Sequence, residues 1–347
     1  MEARSARGRP AALVLAFWIL LTLVACSSGM AAPGSGGERA GVPGYRVLRD
    51  VELPGDTSRW DYTAYDAAAR RLYLAHLGAS QIVVFDTARN QAVHTIDGVD
   101  SVHGLALAPD LGRLFASATG RNRLVAIDTA TLQTVGSAPT GDTPDGVAYA
   151  PGSGKLFVSN EQGSGDTVID ARTVQRVADV QLGGDIGNSY YDPGTRLVYV
   201  VDGNGNRLVD VDPASAQAVG QHPLPGCSGA HGLQVDRPER HRAFVGCAGN
   251  GRLVAVDLAS GRIQANVQIG EHPDVLALDG GRDRLYVASE SGQLAVLEVT
   301  DGVRKLAQGP AGPDAHTVAV DGQTHVAYLP LTSVGGHPVL REVVQTG

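Results

Sequence analysis

The sequence predicts an all-β fold, a seven-bladed β-propeller, on three observations. One aromatic position returns at near-constant spacing, as Tyr73, Phe115, Phe157, Tyr199, Phe244, Tyr286 and Tyr328, at intervals of 42, 42, 42, 45, 42 and 42. An acidic residue closing an apolar run keeps the same register, as Asp86, Asp128, Asp170, Asp212, Asp257, Glu298 and Glu342. Each copy also carries short alternating apolar runs split by turn residues, as in residues 103–128, HGLALAPDLGRLFASATGRNRLVAID. A period in the low forties with four short strands per copy is the signature of a propeller blade.

The chain begins with an address rather than a fold. Arg4, Arg7 and Arg9 precede an almost wholly apolar run at 11–23, and Leu23-Val24-Ala25-Cys26 resembles a bacterial lipobox. Residues 1–26 are expected to be a lipoprotein signal peptide, with Cys26 carrying the lipid after cleavage. A single transmembrane anchor is the alternative, although such a span needs about 20 apolar residues. Residues 27–44, rich in Gly, Ala and Ser with two prolines, read as a flexible tether. The expected location is outside the cytoplasm, lipid-anchored to the bacterial membrane and facing periplasm or cell exterior.

The body behind that anchor spans residues 45–347. Residues 45–53 (YRVLRDVEL) form a strand with no blade in front of it, whereas the seventh copy ends at Gly347 after three strands. The N-terminal strand is therefore expected to supply the outer strand of the last blade and close the ring, removing exposed edges. Forty-five glycines fit a turn-rich chain. Without the signal segment, 25 basic residues face 35 acidic ones, a net charge of −10 with histidines neutral. That balance disfavours nucleic acid, which needs a basic face. No polybasic patch offers a second hold on anionic lipid, so membrane contact is expected through the anchor only. A monomer is expected.

Turn chemistry separates two faces. The first-to-second and third-to-fourth turns are compact and regular, the latter as Asp86-Thr87-Ala88, Asp128-Thr129-Ala130 and Asp257-Leu258-Ala259. Their aspartates are expected to close turns by accepting backbone N–H bonds. The opposite face, here the top, receives loops of varied length and content, where specificity usually sits.

Counting twelve back from each marker aromatic gives Asp61, His103, Asp145, Gly187, Gly232, Asp274 and His316, with His231 and Asn188 beside the two glycines. These residues start the innermost strands at the channel mouth. Carboxylates and imidazoles there suit a divalent metal ion or a polar ligand. The competing reading is that they staple each blade to its loop. Trp60, the only tryptophan beyond the signal segment, precedes the mouth position and is either part of the ligand site or a wedge between the first and seventh blades. His76, Asn160, Glu161, Asp202 and Glu290 follow second strands and read as solvated loop polarity. Cys227 and Cys247 both fall on the top face of the fifth blade. Export favours a disulfide between them, with free thiols or a soft-metal site beside His231 as alternatives.

The repeats Arg71-Leu72-Tyr73-Leu74-Ala75, Lys155-Leu156-Phe157-Val158-Ser159 and Arg284-Leu285-Tyr286-Val287-Ala288-Ser289 resemble the YVTN repeat of YncE-like β-propellers. The segment 226–233 (GCSGAHGL) with 242–247 (RAFVGC) is similar to a cysteine-paired blade of that family. The resemblance implies an exported propeller with no assigned reaction. The third strands end in Ile-Asp or Val-Asp rather than Trp-Asp, and the tryptophan docking repeats of quinone-cofactor propellers are missing. The expected function is a non-enzymatic binding or scaffold module, acting through the mouth on a small ligand or an envelope protein, with no required cofactor. The alternative is a metal-assisted lactonase or lyase. There His103, His231 or His316 serves as base, and Asp61, Asp145 or Asp274 holds the ion. No Gly-x-Ser-x-Gly elbow supports serine hydrolysis.

Overall fold

Each expected copy folds as a four-stranded antiparallel sheet, giving seven sheets in the computed structural model, which describes residues 41–346. The expected signal segment with Cys26 and most of the expected tether lie outside the described residues. Blades 1 to 6 follow chain order. Blade 1 runs Thr63–Asp66, Arg71–His76, Gln81–Asp86 and Gln91–Asp97, and blade 2 runs Val102–Ala108, Arg113–Ala118, Arg123–Asp128 and Thr134–Pro139. Blade 7 combines Ala319–Asp321, Val326–Val334 and His337–Gln345 with the N-terminal strand Tyr45–Glu52. The closing pair runs from Tyr45 opposite Gln345 to Glu52 opposite Val339. The innermost strands of blades 1 and 7 adjoin each other, so the ring closes as the sequence predicts. Val42, ahead of the first strand, is also buried, in a cluster that includes Tyr45, Tyr286 and Leu329.

The period has a packing cause. Every marker aromatic is buried, and each joins a cluster with residues of the following blade. Tyr73 clusters with Leu105, Leu114 and Ala116 of blade 2, and Phe115 with Leu156, Val158 and Ile169 of blade 3. Tyr328 completes the circuit with Leu72, Leu74 and Phe85 of blade 1. The core is thus seven inter-blade layers, each needing one large ring per repeat. The repeated aspartates close turns as expected. Asp128 Oδ1 accepts from the amides of Ala130 at 3.0 Å and Thr131 at 2.7 Å, and Asp86, Asp170, Asp212 and Asp257 do the same.

The device that builds the mouth is a bulge. In blades 2 to 6 the innermost strand carries two residues opposite one at its top end, since the pairings Val102–Ala118 and Leu105–Ala116 leave 103 and 104 facing Ser117. The same shift leaves 145 and 146 in blade 3, 187 and 188 in blade 4, 231 and 232 in blade 5, and 274 and 275 in blade 6. A bulge bends the strand and re-aims its side chains. His231 therefore occupies the same bulge position as His103, Asp145 and Asp274, not the position before it. Counting by a fixed twelve missed this because blade 5 has one residue more between bulge and aromatic. Glycine at the second bulge position lets neighbouring backbones meet, for a Cβ on Gly104 would lie 2.1 Å from the Asp145 carbonyl oxygen.

Candidate functional site at the channel mouth

Blades 1 and 7 depart from that pattern, because their regular inner strands start only at Thr63 and Ala319. Asp61 and His316 sit on the irregular segments just before them, facing the bulge residues of the other blades across the axis. One ligand atom each from Asp61, Asp274 and His316 lie within 4.8 Å of one another. Around this trio, His103 Nε2 is 3.7 Å from Asp61, and His231 Nε2 is 3.5 Å from Asp274 and 3.9 Å from Asp145. A cavity of about 240 Å³ opens above them, lined by Asp61, Asp145, Asp274, Glu161 and Glu290, together with Arg59, His103, His231 and His272.

Tyr62 forms the floor. Its hydroxyl reaches across the axis to Asp145 Oδ2 at 3.2 Å and to the side-chain oxygen of Asn188. Below it the channel widens into a second cavity of about 470 Å³, walled by Leu105, Leu233, Leu276 and Val318 among others. Tyr62 borders both spaces, so the mouth is a cup above a shaft of mixed lining, where Asn188, Ser189 and Gln234 stand among the aliphatic side chains. Burial, then Asp145, Asp274 and Asp61, push the Tyr62 phenol well above its ordinary range. It stays protonated and donates.

Crowded burial sets the electrostatics. Burial first, then Asp274 and Asp145, raises the Asp61 carboxyl well above the usual range. Burial also raises Asp274, with His231 and His316 pulling the other way. Burial alone would lower the His231 imidazole, but Asp274, Asp145, Glu161 and Asp185 outweigh it and hold it up. The one guanidinium at the cavity, Arg59, lies 3.0 Å from Glu290 and 3.9 Å from Asp274.

The predicted residues divide cleanly. Asp61, His103, Asp145, His231, Asp274 and His316 come together at the mouth. Asn188 lines the shaft below and meets the site only through Tyr62. Trp60 is fully buried among Leu72, Leu74 and Tyr328, stacked on His76 at 3.9 Å, which is the wedge role. The loop-polarity expectation fails at most of its five positions. His76 is buried under Trp60, Asn160 is bonded to the Gly165 carbonyl, and Asp202 is paired with Arg207 at 2.7 Å. Glu161 and Glu290 stand on the cavity wall. Tyr62, Arg59 and His272 were missed because none recurs at the blade period.

The Cys227–Cys247 disulfide is present, with Cα atoms 5.3 Å apart. It ties the loop entering blade 5, four residues before His231, to the end of that blade's second strand. The same loop is bonded from the Asn250 side chain to the Gly226 carbonyl at 3.0 Å and from the Ala248 amide to Gly229 at 2.7 Å. Two of the histidines staple as expected, His103 Nδ1 to the Ser101 carbonyl at 2.8 Å and His316 Nδ1 to the Asp314 carbonyl at 3.1 Å, while between blades 2 and 3 the staple is not an acidic side chain but Ser117. Its Oγ takes the Gly104 amide at 2.7 Å and donates to the Asp145 carbonyl at 2.8 Å.

Fold and mouth together define a seven-bladed β-propeller with an acidic, histidine-flanked cup at one end of its channel. Neither the protein-family models nor the curated proteins include a match to this chain. Among solved structures the chain is similar to Kuenenia stuttgartiensis hydrazine synthase, at 14% identity and a TM-score of 0.70, covering 86% of this chain and 98% of that one. It is likewise similar to the WD40 repeats of RRP9, at 11% identity and a TM-score of 0.71, covering 86% and 97%. At such identities the likeness establishes the propeller fold and nothing of activity.

Proposed function

We propose that this is an exported, lipid-anchored binding module of the YncE-like kind, whose channel mouth takes a small cationic ligand. The observation that carries the reading is the cup itself, where five carboxylates face a single guanidinium in about 240 Å³. Low-dielectric walls focus such a field and raise the local concentration of cations. The YVTN-type repeats and the cysteine-paired blade support the family reading, and the lipobox at Cys26 supports the anchor. A metal-assisted lactonase or lyase is the second reading, favoured by His103 and His231, which line the cup within reach of its carboxylates.

Calorimetric titration with small mono- and divalent cations tests the binding module, with Trp60 fluorescence as a second signal. Saturable heat that weakens in Asp145→Asn is the expected result. A flat response to every cation would leave a protein partner as the better reading.

A further inference from the structure

Two buried carboxylates at the mouth lack what buried carboxylates ordinarily have. Among the described residues, no backbone amide or side chain donates a hydrogen bond to Asp61 or Asp274. Their nearest basic side chains are His103 at 3.7 Å, His231 at 3.5 Å and Arg59 at 3.9 Å. Such groups are expensive to bury unless they are paired or bind a metal.

His316 supplies an independent observation. It is fully buried, and its Nδ1 is held by the Asp314 carbonyl and carboxylate, both at 3.1 Å. Its Nε2 is buried without any hydrogen-bond partner. A carboxylate on one ring nitrogen, with the other nitrogen bare beside two more carboxylates, is the arrangement that orients an imidazole for metal ligation.

We infer that Asp61, Asp274 and His316, the last through Nε2, hold one divalent transition-metal ion of the Mn²⁺ or Zn²⁺ class. This rests on the reading of the mouth as a cation site and names the cation. Ligand bonds of about 2.0–2.2 Å put ligand atoms roughly 3–4 Å apart. The observed 4.8 Å envelope closes to that by small side-chain rotations. The donor set chooses the ion. Imidazole nitrogen argues against Ca²⁺, which takes oxygen ligands, and the absence of thiolate argues against soft Cu(I). Three protein ligands from two irregular segments and one bulge leave coordination positions open towards the cup, beside His103 and His231. There a bound water or the anionic end of a ligand completes the shell.

The test uses the purified full chain stripped with EDTA and titrated with MnCl₂ or ZnCl₂, and separately with 1,4-diaminobutane. One ion per chain is expected. His316→Gln, Asp61→Asn and Asp274→Asn should each lose at least 100-fold in affinity, and Asp301→Asn, in an exposed turn away from the mouth, less than three-fold. Zinc-edge anomalous scattering from crystals of the unsubstituted chain should place the ion on the three ligands, which decides the point even if the variants fail to fold. No metal binding, binding indifferent to His316→Gln and Asp61→Asn, or an ion located elsewhere overturns the inference. If metal fails while the diamine binds, only the metal is lost. If both fail, the cation reading of the mouth falls with it.

Discussion

Asp166, on the third strand of blade 3 (Gly165–Asp170), makes the sharpest prediction about stability. It is fully buried, its Oδ2 accepts from Ser189 Oγ at 2.7 Å, and its Oδ1 has no partner. Burial raises the carboxyl from an ordinary 3.8 to about 7, against a smaller opposing pull from Ser189. Between those values the folded chain holds a proton that the unfolded chain has released, so stability falls as pH rises from about 4 to 7 and levels off above. At about 1.4 kcal/mol per pH unit, ionisation costs the fold about 4 kcal/mol. Asp166→Asn keeps the shape of the neutral acid and removes the titration. The variant should match the parent near pH 3, below the unfolded pKa, and exceed it by about 4 kcal/mol at pH 8. Over the length of this body that is roughly 6 °C in Tm, from the usual unfolding entropy per residue. Thermal and urea unfolding of both proteins at the two pH values provide the check. Parallel stability curves would show that Asp166 is solvated or paired in solution, and the reasoning from its burial would be wrong.

Three further outcomes follow from packing and covalent structure. Phe157→Ala removes the ring between blades 3 and 4 and should cost about 3–5 kcal/mol by urea denaturation, where a surface change such as Val177→Ala should cost under about 0.5. Gly104→Ala drives a methyl against the Asp145 carbonyl at 2.1 Å, so it should destabilise by more than about 2 kcal/mol and lower cation affinity. A neutral Gly104→Ala would mean that the bulge adjusts freely. Replacing both Cys227 and Cys247 by serine opens a link with sequence separation 20 and should cost about 3 kcal/mol, read by unfolding with and without reductant.

The fold was legible because a propeller repeats one packing problem seven times. Tyr73 and its six counterparts solve that problem at one position per blade, so the period survives in the sequence. The site was half legible for the same reason. Asp61, His103, Asp145, Asp274 and His316 share the blade register and could be counted out. His231 looked displaced, since a bulge fixes its place and turn length does not. Tyr62 was invisible, because a side chain that crosses the axis serves the ring once and leaves no periodic trace. Trp60 sat one residue from the mouth in sequence and turned the other way into the core, as successive residues of an extended segment do.

The closure by Tyr45–Glu52 also sets a schedule. Blade 7 needs strands from both ends of the chain, so its last ladder cannot form until residue 345 has been made. At ordinary synthesis rates that leaves the first strand waiting roughly 15 to 60 s with its edge uncommitted. Arg46, Arg49, Asp50 and Glu52 put charge on half of its eight positions, the kind of edge that discourages pairing with a stranger. A chain cut short before His337 has no partner for that strand. An unfinished copy therefore carries an open seam, an unpaired strand edge that the finished ring does not have.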